Sequence, residues 1–418
     1  MLSVRSNLFS YLSTLPSELQ EELLLLLPPK EISSKVSDLE AFKRVRNQET
    51  FWERVWRKWV SPRLPNSSTF PIREVLYRRV AEAKELTPEQ LLLEGSRKGI
   101  LFYIVEALER GANVSYGEDL ALRNAAANGY LEIVRYLFES GANISAREDE
   151  ALRKAAKNGY LETVIYLVER GAKISAKEEK ALQEAVYYGH FEIVRYLVES
   201  GANISAVEDE ALTDAAANGH LDIVKYLVER GANVSASDDF ALILASLEGH
   251  FEIVRYLVEK GANISAQEDE ALRMAASEGH LDIVKYLAER GANISAVENE
   301  ALLAAVSKGS LDIVKYLAER GANISAVENE ALLTAASKGF LDIVRYLVES
   351  GANVSANENV ALRVAARNGH LSTVVYLVES GANVSAREDE ALRLAVQYGF
   401  SDVARYLLSK RANPSVLD

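Results

Sequence analysis

The sequence contains no cysteine, and that absence narrows what the protein can do. A chain of 418 residues without cysteine forms no disulfide, holds no cysteine-ligated zinc and has no thiol nucleophile. Histidine is also scarce, with five residues, and no Gly-x-x-x-x-Gly-Lys loop is present to hold nucleotide phosphates. We therefore expect a non-enzymatic protein with no catalytic residue, no cofactor and no metal site.

Positive charge and long apolar runs are lacking as well. The net charge is −14, whereas binding to nucleic acid needs a basic face. Only residues 1–80 are basic, with 13 Lys and Arg against 9 Asp and Glu, and the remainder carries 34 against 52. No apolar run reaches membrane-spanning length, and the start lacks the apolar core of a signal peptide. These features predict an intracellular, cytoplasmic protein whose partners include neither nucleic acid nor membrane.

What the chain does contain is a repeat of 30 residues. Residues 201–230 recur with little change, and their first glycine returns at a fixed interval from Gly111 to Gly381. A second glycine returns at the same interval from Gly99 to Gly399. A fixed period of this length is typical of a solenoid.

One copy of the repeat predicts two helices. Ser205 and Glu208 have the spacing of a capping box, which opens a helix, and Leu212 begins its small apolar face. Gly219 ends this helix, because glycine readily adopts the left-handed conformation of a helix end. A second apolar stripe begins at Leu221. Such a helix pair can bury its apolar faces only against neighbouring copies.

The repeat resembles that of the ankyrin family. Ala275–Leu287 follows the family pattern Ala-Ala-x-x-Gly-His-x-x-x-Val-x-x-Leu, and Gly291–Ile294 is similar to its Gly-Ala-Asp-Val. The usual repeat is 33 residues long with Thr-Pro-Leu-His, whereas Glu270–Arg273 stands in that place here. The resemblance implies an all-α helix-turn-helix solenoid of about eleven helix pairs over residues 86–418, with the β-finger reduced or absent. The short repeats are similar to those of large amoeba-infecting DNA viruses, which would place the protein in a host cytoplasm.

Residues 1–85 do not share the repeat and resemble an F-box. The family opens with Leu-Pro-x-Glu-Leu, which stands at Leu15–Leu19, and its first helix ends in Leu-Pro, as at Leu27 and Pro28. It closes with a Phe-Trp pair before a charged helix, as at Phe51–Arg54. The resemblance implies binding to a Skp-type adaptor of cullin–RING ubiquitin ligases. The adaptor-binding residues it implies are Leu15, Pro16, Leu19 and Leu23.

Two interpretations of the whole chain therefore stand side by side. In the first, the F-box-like domain docks a ubiquitin-ligase adaptor and the solenoid holds a target protein, so that the chain recruits substrates. In the second, the chain is a non-enzymatic scaffold or sequestering protein, and residues 1–85 only cap the open end of the solenoid. The absence of cysteine means that any role in ubiquitin transfer must be by recruitment.

Three residue types recur at fixed repeat positions, and we interpret all three as structural. The five histidines share one position that is Phe340 or Ser310 in other repeats, which a catalytic or metal site would not tolerate. A tyrosine recurs on each second helix from Tyr136 to Tyr406 and is interpreted as a packing ladder. Acidic triplets such as Glu148–Glu150 are predicted to lie in the first turn of each first helix, where the helix dipole favours them.

Two positions on each first helix, one turn apart, vary between repeats and are predicted to face the concave groove. They are apolar in the middle of the array and basic towards its ends. Exposed apolar residues gathered in one groove usually mark a partner site, so we predict that a monomeric chain binds a target protein there. Neutral variation among duplicated repeats is the alternative. The predicted partner-binding residues are Arg153, Tyr187, Ile243, Leu247, Leu303, Leu333, Arg363 and Arg367.

The first repeat carries an apolar exception on its second helix. Phe102 and Val105 stand where the next repeat has Glu132 and Arg135. Leaving both in water would forgo about 1.5–3 kcal/mol for each side chain, so we expect another segment to cover them. The amphipathic segment 72–84 is the nearest candidate, which predicts a rigid junction between the two domains.

Overall fold

Helices account for all of the regular structure that can be described. The computed structural model describes residues 85–177, 179–205, 210–324 and 326–411, and these ranges contain 22 helices and no strand. The predicted all-α repeat fold is therefore confirmed. The chain divides into two compact units, Met1–Asn203 and Ile204–Asp418, which we call the N-terminal and C-terminal units.

The N-terminal unit contains four helix pairs among its described residues. Within each pair the first helix runs from the capping loop to a glycine-containing turn, and the second helix returns. The bounds are α1 Pro88–Lys98, α2 Leu101–Glu109, α3 Tyr116–Ala127, α4 Leu131–Glu139, α5 Ala146–Lys157, α6 Leu161–Glu169, α7 Lys180–Tyr187 and α8 Phe191–Glu199.

The C-terminal unit contains seven helix pairs among its described residues, built on the same plan. The bounds are α9 Glu210–Ala217, α10 Leu221–Glu229, α11 Ala236–Glu248, α12 Phe251–Glu259, α13 Ala266–Glu278, α14 Leu281–Glu289, α15 Ala296–Lys308, α16 Leu311–Glu319, α17 Ala326–Lys338, α18 Leu341–Glu349, α19 Ala356–Arg367, α20 Leu371–Glu379, α21 Ala386–Gln397 and α22 Ser401–Arg411.

Inside each unit the first helices form one layer and the second helices another. Each first helix packs against the first helix of the next repeat, and each second helix packs against the next second helix. The first helices meet through small residues such as Ala125 and Ala126, which are fully buried, with Leu122 beside them. The second helices add Val134 and Leu137, also fully buried. Complete burial of one such leucine is worth about 1.5–3 kcal/mol, so the stacked repeats supply the core that a single pair lacks.

The glycine at the end of each first helix allows the next repeat to approach closely. Gly249 has a φ of +82° and donates its backbone N–H to the carbonyl of Ala245. A Cβ at this residue would lie 2.8 Å from both ring nitrogens of His280, in the following repeat. The glycine is therefore required both by its left-handed backbone and by the packed imidazole.

The histidines join neighbouring repeats. His280 Nε2 lies 3.0 Å from the carbonyl oxygen of Leu247, and His250 Nε2 lies 3.1 Å from that of Ala217. His190 and His370 make the same contact. Since a carbonyl oxygen only accepts, Nε2 is the protonated nitrogen in each case. The structural interpretation of this position is confirmed for these four residues.

The start of the first helix differs from the predicted capping box. The prediction is right at Thr87, whose hydroxyl accepts from the backbone N–H of Gln90 at 3.2 Å while the Gln90 side chain accepts from Thr87 N at 3.0 Å. It is wrong at Ser145, Ser235 and Ser265, which make no side-chain capping bond. Ser235, for example, donates its hydroxyl to the carboxylate of Asp239 at 2.9 Å. In the capping box predicted at Ser205 to Glu208, residues 206–208 lie outside the described residues.

The acidic triplets likewise differ from the predicted first turn. Glu148 and Asp149 have φ values of +57° and +56°, so they form a left-handed turn ahead of the right-handed helix. Asp149 is buried, and its Oδ1 accepts from the Ser145 hydroxyl at 2.9 Å and from the backbone N–H of Lys173 at 3.0 Å. The triplet is therefore an inter-repeat connection at its middle residue and not a solvated helix cap.

The same connection recurs along both units, and we call it the inter-repeat latch. Asp239 Oδ1 accepts from the backbone N–H of Asn263 at 2.7 Å, and Asn263 Oδ1 in turn accepts from Ser265 N at 3.1 Å. An aspartate or asparagine thus satisfies a loop N–H located 24 residues further on. The other latch residues with this bond are Asp119, Asp149, Asp269, Asn299, Asn329 and Asn359.

The tyrosine ladder packs between cations of adjacent repeats. The ring of Tyr256 lies 5.9 Å from Lys225 Nζ and 5.4 Å from Lys260 Nζ. The hydroxyl of Tyr316 reaches the carbonyl oxygen of Lys285, in the preceding repeat, at 3.4 Å. Desolvation of these rings raises the pKa of the phenols of Tyr256 and Tyr316. The ladder is therefore part of the packing between second helices.

Candidate functional site

The variable positions of the first helices form a surface in each unit, and we call it the first-helix face. In the N-terminal unit it is built from α3, α5 and α7, which pack side by side. Its predicted members Arg153 and Tyr187 lie on α5 and α7, and Arg153 is half-buried while Tyr187 is 49% exposed. Both are therefore accessible to a partner on this face.

Charge on this face is held in ion pairs between successive repeats. Arg123 is buried, and its Nη1 lies 2.7 Å from Glu150 Oε2, while Lys154 Nζ lies 2.9 Å from Glu150 Oε1. Burial alone would raise the pKa of the Glu150 carboxyl, but the hydrogen bonds and charges of Lys154 and Arg123 outweigh it and hold the pKa below its usual value. The pairing also means that Arg123 does not present a free charge to a ligand.

Tyr187 belongs to an aromatic and basic cluster. Its ring packs edge-on against Tyr188, with ring centroids 5.0 Å apart, and Lys157 Nζ lies 5.0 Å from the centroid of Tyr188. A hydrogen bond to Tyr188 and the charge of Glu184 raise the pKa of Lys157. Tyrosine is one of the residue types enriched at interface hot spots.

In the C-terminal unit the predicted apolar residues differ in exposure. Leu247, Leu303 and Leu333 are half-buried on α11, α15 and α17, and α15 and α17 are neighbours. Ile243 is only 3% exposed, so the prediction that it faces an open groove is wrong. Arg123 and Gln183, at the same repeat position, are buried as well.

The predicted basic residues of the C-terminal unit are largely engaged within the chain. Arg363 Nη1 lies 2.7 Å from Glu390 Oε2, and its Nη2 donates to the carbonyl of Asn357 at 3.0 Å. Arg367 is exposed and stacks on the ring of Tyr398 at 5.3 Å. A partner could contact Arg367 directly, whereas Arg363 would have to give up its carboxylate.

The adaptor-binding residues predicted from the F-box resemblance lie outside the described residues, as does the segment 72–84. The face that this segment was predicted to cover is described. Phe102 is 2% exposed and Val105 is 5% exposed, although the equivalent Glu132 and Arg135 of the next repeat are exposed. The expectation that this apolar face is covered is therefore confirmed, while its cover stays a prediction.

Two features of the site were missed by sequence reasoning. The first is the latch, for which the repeated Asp or Asn in the loop was a visible signal. The second is the ion pair between an arginine and a glutamate 27 residues further on, which requires knowing how adjacent first helices align. Within the described ranges no helix is long and apolar enough to cross a membrane, and no group of three or more candidate metal ligands is brought together.

Stacked helix pairs with variable residues on one face define a helical repeat protein. The sequence model of the family described as ankyrin repeats (three copies) matches this chain in overlapping segments that run from residue 91 to residue 418. The chain therefore belongs to the ankyrin repeat family and is a protein–protein interaction module. Members of this family are generally non-enzymatic scaffolds. No curated protein matches the chain, and the likeness to viral repeats stays a prediction. The segments matched by the family model are residues 91–178, 122–208, 152–238, 212–298, 242–328, 272–358, 302–388 and 332–418.

Proposed function

We propose that the chain is a substrate-recruiting subunit of a cullin–RING ubiquitin ligase. In this proposal the first-helix faces hold a target protein, and Leu15, Pro16, Leu19 and Leu23 dock a Skp-type adaptor. The proposal extends the binding function of ankyrin repeats by adding the F-box-like sequence of residues 1–85. The protein acts in the cytoplasm, which is the host cytoplasm if the viral likeness holds.

The observation that best supports target binding is a pair of half-buried leucines on α15 and α17. Leu303 and Leu333 occupy positions where Arg273 and Arg363 form ion pairs in other repeats. An apolar residue is not required at this position in every repeat, because Arg273 and Arg363 are accommodated there with a glutamate partner. A partner that covers both leucines would recover about 25 cal/mol for each Å² of apolar surface removed from water.

Target binding is tested with the double variant Leu303→Glu/Leu333→Glu. The target is first identified by affinity purification and mass spectrometry, and its binding is then measured by calorimetry with purified protein. We expect the double variant to lose binding while its thermal midpoint stays close to that of the wild type. Val348→Glu is the matched control, since Val348 is also half-buried but lies on the second-helix layer. Unchanged target binding in the double variant would refute the first-helix face as the site.

Adaptor binding is tested with Leu15→Ala/Pro16→Ala. We expect co-purification with a Skp-type subunit in the wild type and its loss in this variant. Leu64→Ala/Pro65→Ala is the matched control, because it removes the same dipeptide elsewhere in residues 1–85. Failure of the wild-type protein to bind the subunit at micromolar concentration would refute the ubiquitin link.

The second candidate function is a scaffold or sequestering protein without a ubiquitin link. The burial of Phe102 and Val105 fits it, because an N-terminal cap of the solenoid would cover this face, although a docked F-box-like domain would cover the same face. In that case Leu15→Ala/Pro16→Ala would lower the stability of the first repeat and would have no adaptor to release. Hydrogen exchange of α1 and α2 in this variant separates the two functions.

A further inference from the structure

Three first helices share one arginine arrangement. In each, the arginine Nη1 pairs with a glutamate located 27 residues further on, and its Nη2 donates to a carbonyl of the loop that opens its own helix. For Arg123 the distances are 2.7 Å to Glu150 and 2.7 Å to the carbonyl of Gly117. Arg273 pairs in the same way with Glu300, and Arg363 pairs with Glu390 at 2.7 Å. The arrangement shows that a carboxylate fits beside Nη1 of this arginine.

Arg153 has the same anchoring but lacks the carboxylate. Its Nε donates to the carbonyl of Glu148 at 3.2 Å and its Nη2 to the carbonyl of Arg147 at 3.0 Å. The residue 27 positions further on is Lys180, and none of the carboxylates among the described residues pairs with Arg153. The guanidinium is therefore held in place by two bonds, and a second cation stands where the glutamate would be.

Among the described residues, the glutamates around Arg153 are already paired with other cations. A depression of about 470 Å³ is lined by Arg153, Lys177, Arg147 and three glutamates. Each of these glutamates already has a cation: Glu148 pairs with Lys177 at 2.8 Å, Glu118 with Arg147 at 3.0 Å, and Glu150 with Arg123 and Lys154. Lys180 donates only to the neutral side chain of Gln183, at 3.1 Å. Two cations on this face thus lack an acidic partner among the described residues.

We propose that Arg153 and Lys180 bind a carboxylate of an acidic segment of the partner protein. The partner then supplies the group that a glutamate of the chain supplies in the other three repeats, and Nη1 of Arg153 donates a charge-assisted hydrogen bond to its carboxylate. Tyr187 lies on the same face one helical turn beyond Gln183, where its exposed ring contacts the residues next to the bound carboxylate. This inference rests on the proposed function, since it gives the chemistry of the target that the first-helix face holds.

The decisive variant is Lys180→Glu, which rebuilds the ion pair of the other repeats. Arg153 stays in place, but the new glutamate pairs with its guanidinium. We therefore expect binding of an acidic ligand to weaken by at least about tenfold, while the stability of the protein is kept or raised. Arg153→Gln should weaken binding to a similar extent. Lys225→Glu is the matched control, because it makes the same change of charge on the second-helix layer and should leave binding unchanged.

The probe is a fluorescein-labelled peptide of alternating glutamate and glycine, about twelve residues long, followed by fluorescence polarisation with full-length protein. A second peptide with glutamine in place of glutamate measures binding that does not depend on the carboxylates. Inorganic phosphate is added as a competitor at the same concentration as the peptide. We expect the glutamate peptide alone to bind, with weaker binding at higher salt.

The outcomes separate this inference from the proposed function. Equal binding of both peptides, no binding of the glutamate peptide at millimolar concentration, or full displacement by equimolar phosphate would each overturn the inference. So would a Lys180→Glu protein that binds the glutamate peptide as the wild type does. If Leu303→Glu/Leu333→Glu loses the target while Lys180→Glu keeps it, the binding function stands and the acidic-partner inference is wrong. If neither variant loses the target, the proposed function itself fails.

Discussion

Replacing Gly249 with alanine should disrupt the contact between two repeats, and a second glycine provides an internal control. Gly249 and Gly279 end equivalent first helices with φ values of +82° and +90°. An added Cβ at Gly249 meets the imidazole of His280, whereas at Gly279 its nearest neighbour is the hydroxyl oxygen of Ser310, at 3.1 Å. The two substitutions therefore share the backbone strain and differ in the clash.

The magnitudes follow from these two contributions. An alanine in the left-handed region costs roughly 1–2 kcal/mol, which both variants lose. The clash at Gly249 adds about 1–3 kcal/mol for an overpacked contact. Displacement of the ring also breaks the bond from His280 Nε2 to the carbonyl of Leu247, worth about 0.5–1.5 kcal/mol. We expect Gly249→Ala to destabilise the protein by roughly 2 kcal/mol more than Gly279→Ala.

Urea unfolding followed by circular dichroism measures the difference, with hydrogen exchange of α11 to α14 to locate it. Both methods are needed because a repeat array need not unfold in a single transition. The double variant Gly249→Ala/His280→Ser should recover stability towards that of Gly279→Ala, because it recreates the smaller neighbour. Equal losses in the two single variants would refute the argument from the imidazole contact.

Three further predictions concern the turn, the core and the tyrosine ladder. Val297 is β-branched at a φ of +47° and is 43% exposed, so Val297→Asn should raise the unfolding free energy by about 1 kcal/mol. Val396→Asn is the control, because Val396 lies on an exposed helix surface, and it should not raise the unfolding free energy. Thermal melts compare the two variants. Ile243→Glu should destabilise by about 3 kcal/mol or more, because it buries an unpaired charge, and a thermal midpoint equal to that of wild type would show that residue 243 is not core. Desolvation raises the pKa of five tyrosines above the unfolded value of about 10. Because the unfolded chain ionises first, stability is constant below pH about 10 and falls as the pH rises from there through the higher folded-state pKa. Unfolding free energies measured between pH 8 and 11 should therefore begin to fall near pH about 10. The tyrosines concerned are Tyr136, Tyr256, Tyr286, Tyr316 and Tyr406.

The helix pairs could be predicted from the sequence because their signals are local. The glycine that ends each first helix, the apolar stripes and the Thr87 capping box all act within one or two turns of the chain. Each of these signals depends only on the backbone conformation or the apolar pattern of its own segment. Their regular spacing then fixed the repeat architecture without any knowledge of how neighbouring copies pack.

The failures arose where a second repeat competes for the same group. Ser235 has the residue type and spacing of a helix cap, but its hydroxyl bonds to Asp239, which also holds the loop N–H of Asn263. Ile243 occupies a variable position, yet the close approach of adjacent first helices buries it. The lack of a glutamate partner 27 residues after Arg153 can be recognised in the sequence only once residues 27 positions apart are known to face each other.

The inter-repeat latch affects how each unit responds to mechanical force. A loop N–H of one repeat is held by a side chain of the repeat before it, as Asn263 is held by Asp239, so neighbouring repeats can separate only when this hydrogen bond breaks. Under tension applied along the chain, such bonds should yield one at a time and release one repeat per event. A 30-residue repeat pulled fully straight adds roughly 100 Å of contour. A scaffold built in this way would lengthen under force by stepwise unfolding of repeats, while the repeats that remain folded keep their first-helix faces intact.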